Sequence, residues 1–321
     1  MKASKRELAP APKLSNRPPP VLELDAAEED HGSRLDVVLA KRIPALSRRR
    51  AQEMLEAGEI RLNGHRARKG DRVQSGDRLA LLREPVPSDF AAKPDLDVPV
   101  VVLFEDEHLV ILDKPAHVPS HPLRPDEVGT VASYVVARWP ETCFVGYRAR
   151  EPGIVHRLDL GTSGAILVAK ETRTFEALKR MLEEGEIDKR YKAFVTLRDA
   201  PKLGEIRTPL GNDPRDPRRV AARVEGARET VTEVLRVTVH AFSAEVEVRA
   251  RHAFRHQVRA HLASVGAPLL GDVLYGGEVV SGLSRHALHA SLLAFTHPVT
   301  GQALRIVCSL PDDLIALRRE G

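Results

Sequence analysis

The stretch "VPVVVLFEDEHLVILDKP", residues 98–115, holds two apolar runs on either side of Glu105-Asp106-Glu107-His108. It reads as a strand, an acidic turn and a second strand. "THPVTGQALRIVC" repeats the scheme near residue 300. Clear helical patterns in this part of the chain are confined to about 130–139, 173–184 and 256–265. Strands that arrive in hairpins, rather than alternating strictly with helices, favour an α+β fold over a doubly wound sheet. Both apolar runs are too short to span a bilayer.

The chain has 321 residues, 42% of them hydrophobic, enough for one large domain with a real core and one small domain. The opening "MKASKRELAPAPKLSNRPPP" is basic and Pro-rich but lacks the apolar middle of a signal peptide. Residues 1–30 therefore read as a flexible tail, and the protein as soluble and cytoplasmic. Cys143 and Cys308 stand far apart with no CxxC partner, which argues against a disulfide framework or a thiolate zinc site. Both are expected to be buried, inert thiols. Net charge is +4, but residues 31–80 hold twelve Lys and Arg against six Asp and Glu. Such a local excess suits a polyanionic partner, with nucleic acid foremost.

Residues 31–83 read as a compact unit. Leu35, Val38 and Leu39 have helical spacing, and Pro44 ends that run. Ser47 can cap a second helix with Ala51, Met54 and Leu55 facing inward and Gly58 as its stop. "EIRLNGHRA" then reads as a hairpin turning at Asn63-Gly64, and "GDRLAL" as a further strand. This pattern resembles the small α/β RNA-binding module named after the fourth small-subunit ribosomal protein. Arg48, Arg49 and Arg50 of the second helix, with Arg66, Arg68 and Lys69 of the hairpin, would then grip RNA phosphates. Residues 84–97 are Pro-rich and polar and read as a linker, leaving 98–321 as the second domain.

The chemistry is expected in "GIVHRLDLGTSGAILVAK", residues 153–170. If residues 155–159 are extended, Arg157 and Asp159 point to one side, and the cation keeps the carboxylate ionised. Gly161 and Gly164 allow a sharp turn that presents it. Spacing alone equally fits a surface Arg–Asp pair beside an ordinary turn. A single acid does not suit a paired-carboxylate glycosidase, and neither HExxH nor GxSxG is present.

"HRLDLGTSGAILVAK" resembles the signature of RluA-type pseudouridine synthases. "EDEHLVILDKPAHVPSHP", "DKRYKAFV", "HQVRAHLASVGAPLLGDVLYGG" and "ALHASLLAFTHPVTG" are similar to further motifs of that family, over residues 98–313. The resemblance implies a catalytic domain on a mixed, mostly antiparallel sheet with flanking helices. It implies an isomerase that detaches uridine at its glycosidic nitrogen and rejoins it through carbon 5, with no cofactor. Asp159 would be the nucleophile, attacking the base ring or the ribose carbon; Tyr191 would stack near the target base and Arg157 would hold the flipped nucleotide. The family's usual Arg before [TS]-H-Q is replaced here by Phe254, so Arg255 is expected to pair with Asp159 through a backbone bulge. His256 and His261 would be structural or RNA-facing. His252, His256 and His261 have no acidic companion and are not expected to bind metal. The implied partner is RNA, large-subunit ribosomal RNA ahead of transfer RNA, and the protein is expected to be a monomer with no membrane association. The competing readings are an RNA-binding or ribosome-assembly factor without catalysis, and a metal-dependent nuclease, which would need an acid cluster not seen in the sequence.

Overall fold

The computed structural model describes residues 20–43, 46, 48–84, 89–251 and 254–318. Pro44 and Ser47, expected to end and to cap two helices, lie outside these residues, as does His252; the side chain of Arg49 is likewise not described. The chain divides into two compact units, residues 1–89 and 90–321.

In the first unit β1 (Leu22–Asp25) is followed by α1 (Leu35–Arg42), α2 (Arg48–Ala57), β2 (Ile60–Leu62), β3 (His65–Arg66) and β4 (Arg78–Leu81). The strands form an antiparallel sheet in the order β1-β4-β2-β3. Leu35, Val38 and Leu39 of α1 meet Ala51, Met54 and Leu55 of α2 and Ile60, Leu79 and Leu81 of the sheet in one core. Asn63 and Gly64 both have positive φ, 51° and 77°, the backbone that a two-residue I′ turn requires. β1 corrects the expectation of a tail over residues 1–30. Leu22 and Leu24 pair with Leu81 and Leu79, so residues 22–25 form the edge of the sheet.

The second unit begins with β5 (Val101–Glu105), β6 (Leu109–Lys114), α3 (Val131–Arg138), β7 (Ser163–Ala169) and α4 (Thr172–Glu184). It continues with β8 (Asp188–Thr196), β9 (Gly204–Arg207), β10 (Leu210–Asn212), β11 (Val220–Ala222), β12 (Val231–Val239) and β13 (Ser243–Ala250). It closes with α5 (Gln257–Ser264), β14 (Leu288–Thr296), β15 (Ala303–Val307) and α6 (Asp312–Ile315). Nine strands form one sheet in the order β5-β6-β7-β14-β8-β13-β12-β9, with β15 also paired to β14. Only the short β7–β14 contact is parallel; every other pairing in this sheet is antiparallel. The fold is α+β.

Leu109–Leu112 of β6 and Ala165–Ala169 of β7 are apolar runs because both of their faces are covered. Leu109, Ile111, Ala165 and Leu167 pack with Phe175, Leu178 and Leu182 of α4. The alternate residues Val110, Leu112, Ile166 and Val168 pack with Val131 and Val135 of α3. On the other half of the sheet α5 lays Val258 and Leu262 on Ala193, Val246 and Val248. Residues 90–97, read as linker, belong to this body. Ala92 is buried with α3, its N–H donates to the Ala149 carbonyl, and Asp95 accepts the N–H of Gly129. Of the two cysteines Cys308 is buried, but Cys143 is exposed, in the 3-10 turn Pro140–Phe144, which buries Thr142 and leaves its other residues at the surface. Among the described residues no helix is long and apolar enough to cross a membrane.

Gly164 sets the distance between β7 and β14. Its φ is +113°, and a Cβ there would lie 2.3 Å from the Ala290 carbonyl oxygen. Gly164→Ala is expected to lower stability by more than ~2 kcal/mol through backbone strain and a forced shift of the pairing. Urea unfolding checks this; an unchanged midpoint would mean that the strands separate at no cost.

Candidate active site

Asp159 lies between β7 and the bridge that Ile154 makes with Val168, on an irregular segment outside the named strands. Side chains from distant parts of the chain replace the missing ladder. Ser120 Oγ donates to the Leu158 carbonyl at 2.9 Å and accepts the Leu158 N–H at 3.2 Å. The His117 N–H donates to the Leu160 carbonyl at 2.8 Å. Lys114 Nζ, fully buried, donates to the carbonyls of Pro115, Val118 and Leu160. Desolvation lowers the Lys114 pKa to about 7, with Asp159 acting in the opposite direction. Arg285 donates to the Gly161 carbonyl at 3.0 Å while its other nitrogens are held by Asp313. Thr162 Oγ1 hydrogen-bonds with His286 Nε2 at 2.8 Å. The Asp159 backbone is thus fixed on both sides before any ligand arrives.

The Asp159 carboxylate accepts a hydrogen bond from Arg259 Nη1 at 3.0 Å, and His256 Nε2 stands 3.9 Å away. Burial acts to raise its pKa; the charges of His256, Arg259 and His286 and the Arg259 hydrogen bond outweigh it and hold it below the usual carboxylate value. Burial also lowers both imidazoles, His286 to about 4. Arg259 is itself fixed from behind. Its Nε and Nη2 donate to the two oxygens of buried Asp272 at 2.7 and 2.9 Å, and its guanidinium lies 5.0 Å from the Tyr275 ring centroid. Tyr275 Oη accepts the Val220 N–H and hydrogen-bonds with His256 Nδ1.

The expected pairing of Arg255 with Asp159 is corrected by this geometry. Arg255 is exposed in the turn ahead of α5 and donates to the carbonyls of Pro217 and Arg219 at 3.1 and 2.6 Å. His256, with φ +54°, starts α5 in a left-handed conformation, and Arg259 carries its guanidinium to the carboxylate from the first turn of the helix. The expected role of Arg157 as the cation beside Asp159 is corrected too. Its guanidinium, half exposed, faces Glu151 at 3.6 Å and His121 at 3.3 Å. Arg157 and Asp159 nonetheless line the same cleft, with Tyr191, Lys189, His156, Phe254 and His256. The strand alternation of β8 puts Lys189 and Tyr191 on that side. Burial, then the Asp159 charge, raises the Tyr191 hydroxyl pKa, so it stays protonated. Burial, then Lys179, lowers Lys189 to about 7. The cleft has an open volume of about 60 Å³, room for a few waters, so a nucleotide enters only as the walls give way.

His256 therefore faces the carboxylate. His261 is enclosed by Thr230, Thr232 and the Thr208 carbonyl. Arg259, Asp272, Tyr275, Lys189 and Lys114 were not singled out from sequence, although each stands inside a motif quoted for the family resemblance. In the first unit Arg66 and Lys69 converge on the end of α2, on the Glu56 carbonyl and carboxylate respectively. Arg48 joins Arg34 and Gln52 on buried Asp36, and Arg50 pairs with Glu53. Arg68 is exposed.

A family model described as RNA pseudouridylate synthase matches residues 108–264, and the S4 domain model matches residues 33–79. The chain is 34% identical over 297 residues to ribosomal large subunit pseudouridine synthase D of Xanthomonas campestris, covering 88% of this chain and 87% of that protein. It is 30% identical over 351 residues to the chloroplastic RNA pseudouridine synthase 2 of Arabidopsis thaliana, covering 90% and 81%. A solved structure, human RNA pseudouridylate synthase domain containing 1, shares the fold with a TM-score of 0.51 at 23% identity, over 68% of this chain and 86% of that one. The chain belongs to the RNA pseudouridine synthases, RNA-binding isomerases, and carries an S4 domain ahead of its catalytic domain.

Arg259→Gln is expected to cost about 3–5 kcal/mol at pH 7, because it strands two carboxylates around one buried site. In the native protein the low Asp159 pKa contributes stability above the unfolded value, lost as pH falls through the folded one. Without Arg259 burial dominates and the carboxyl pKa rises, so the variant recovers stability as pH falls and Asp159 takes up a proton. Chemical denaturation at pH 7 and near pH 4 should show the deficit shrinking; a constant deficit would sink the electrostatic assignment.

Proposed function

We propose that Asp159 is the nucleophile that isomerises an extruded uridine in large-subunit ribosomal RNA. The observation that carries this reading is a carboxylate held ionised in a narrow cleft by Arg259, on a backbone clamped at Leu158, Leu160 and Gly161. An ionised carboxylate offers an electron pair without first losing a proton. Asp159 bonds to the base ring or the ribose carbon as the N1–C1′ bond breaks, and the uracil turns. The C5–C1′ bond forms with Asp159 released, and the C5 proton leaves while N1 takes one up, so nothing is oxidised and no group is donated. Tyr191, kept neutral, packs against the base, and Arg157 at the rim holds the extruded nucleotide. Extrusion costs a few kcal/mol and favours loops over paired stems. Arg48, Arg49, Arg50, Arg66, Arg68 and Lys69 supply phosphate contacts that position the RNA.

Ribosomal RNA is favoured by relatives named for the large ribosomal subunit in Xanthomonas campestris and Xylella fastidiosa. A target in ribosomal RNA fits a cytoplasmic protein, and a catalytic cleft built from one chain suits a monomer. The reaction releases the hydrogen on carbon 5, so tritium release from uridine labelled there reads it directly. Asp159→Asn should release none, a loss of at least about 10⁴-fold, while retaining RNA binding. Release at the native rate by that variant would remove Asp159 from the chemistry. Ribosomal and transfer RNA from cells lacking this enzyme should be compared as substrates. Release from ribosomal RNA alone supports the target; release from transfer RNA alone overturns it.

A further inference from the structure

A second cleft opens on the other side of the segment that carries Asp159. It is lined by Tyr147, Arg148, Glu151, Phe175, Lys179 and Arg157, with an open volume of about 320 Å³. His156 and Arg157 line both clefts, so this one begins where the catalytic pocket ends. The two differ in state. The catalytic pocket has room for a few waters, whereas this cleft already has the size of a small-ligand site.

Its lining is basic and aromatic. Arg148 is exposed, Arg157 is half exposed, and Lys179 rises from α4. The acid among the lining residues, Glu151, is 20% exposed and faces Arg157 and His121 at 3.6 and 3.3 Å. Tyr147 is 73% exposed. Its ring stands edge-on to buried Phe175, with centroids 5.1 Å apart and planes at 85°. The loop beneath it is built rather than loose. Gly146, with φ +106°, packs against Phe175; the Glu151 N–H donates to the Arg148 carbonyl and the Gly153 N–H to the Val145 carbonyl. An open ring on a fixed loop, among cations, is the arrangement by which proteins hold an unpaired base and its phosphate.

We infer that this cleft is a subsite for the nucleotide next to the target uridine. Its base stacks on Tyr147 and its phosphate is met by Arg148, Arg157 and Lys179. The inference rests on the proposed RNA reaction at Asp159 and adds to it. Arg157 and Asp159 are two residues apart, at most about 7 Å along the chain, so one RNA strand can enter both clefts by crossing a single wall. An unpaired neighbour strengthens the preference for uridines in open loops that extrusion of the target already confers.

The first test does not depend on catalysis. A nine-nucleotide single-stranded RNA carrying 5-iodouridine is photocrosslinked to the full chain, and the adducts are mapped by peptide mass spectrometry. An adduct at Tyr147 is expected, and adducts confined to other peptides would overturn the subsite. The second test uses tritium release from ribosomal RNA of cells lacking the enzyme. Tyr147→Ala should raise KM on the order of tenfold to a hundredfold with kcat nearly unchanged, the loss of one stacked base, and Tyr147→Phe should restore native KM. Arg148→Ala should reduce the salt dependence of RNA binding by about one phosphate contact. A Tyr147→Ala enzyme with native KM, or with kcat reduced instead, would exclude the role. If the native enzyme releases no tritium, the reaction at Asp159 fails, while the crosslink still decides whether the cleft binds RNA.

Discussion

The guanidinium of Arg259 joins two carboxylates, Asp159 at the mouth of a cleft and Asp272 buried behind it. A carboxylate in a narrow cleft would ordinarily keep its proton, because desolvation disfavours the charge. Arg259 reverses that, and Asp272 lets an arginine be buried there at all by taking up two of its donors in bidentate geometry. Tyr275 covers its face. The motif "GDVLYGG" thereby acquires a physical meaning: the short turn Val273–Tyr275 returns Asp272 and Tyr275 to one cation. The sheet carries α5 into this position, and α5 carries Arg259.

Much of the architecture could be read from residue patterns. The hairpin β5–β6, the pair β14–β15 and the helices α3, α4 and α5 follow from apolar runs and periodicity. So do the inward faces of α1 and α2 and the turn at Asn63-Gly64. The strands from β8 to β13 escaped notice, and the reason is charge. Asp188, Arg190 and Lys192 alternate along β8, as Glu245, Glu247 and Arg249 do along β13, so neither reads as an apolar strand. Pairing makes sense of them: Arg190 meets Glu247, Lys192 meets Glu245, and Arg249 meets Asp188. Such complementarity exists only between strands and is invisible along either one.

The site was half legible for a related reason. The sequence singles out Asp159, Arg157, Tyr191 and His256, and all four line one cleft. It misassigned the cation. Arg255 and Arg259 are one helical turn apart, and the choice between them depends on where α5 starts and on the left-handed His256 that starts it. Helix boundaries are the least certain part of any pattern reading. Lys114 and Ser120 could not be recognised as clamps, because their partners are backbone carbonyls, which every residue has.

The clamp formed by Arg285 carries an implication for synthesis. Gly161 is held by Arg285, which is held by Asp313, so a loop translated early is locked by side chains translated late. A polypeptide still emerging from the ribosome, with residues up to about 280 already outside, owns the aspartate and the clamps from Lys114, His117 and Ser120, but not the one from Arg285. That brace on the segment carrying Asp159 therefore arrives only with the final stretch of the fold.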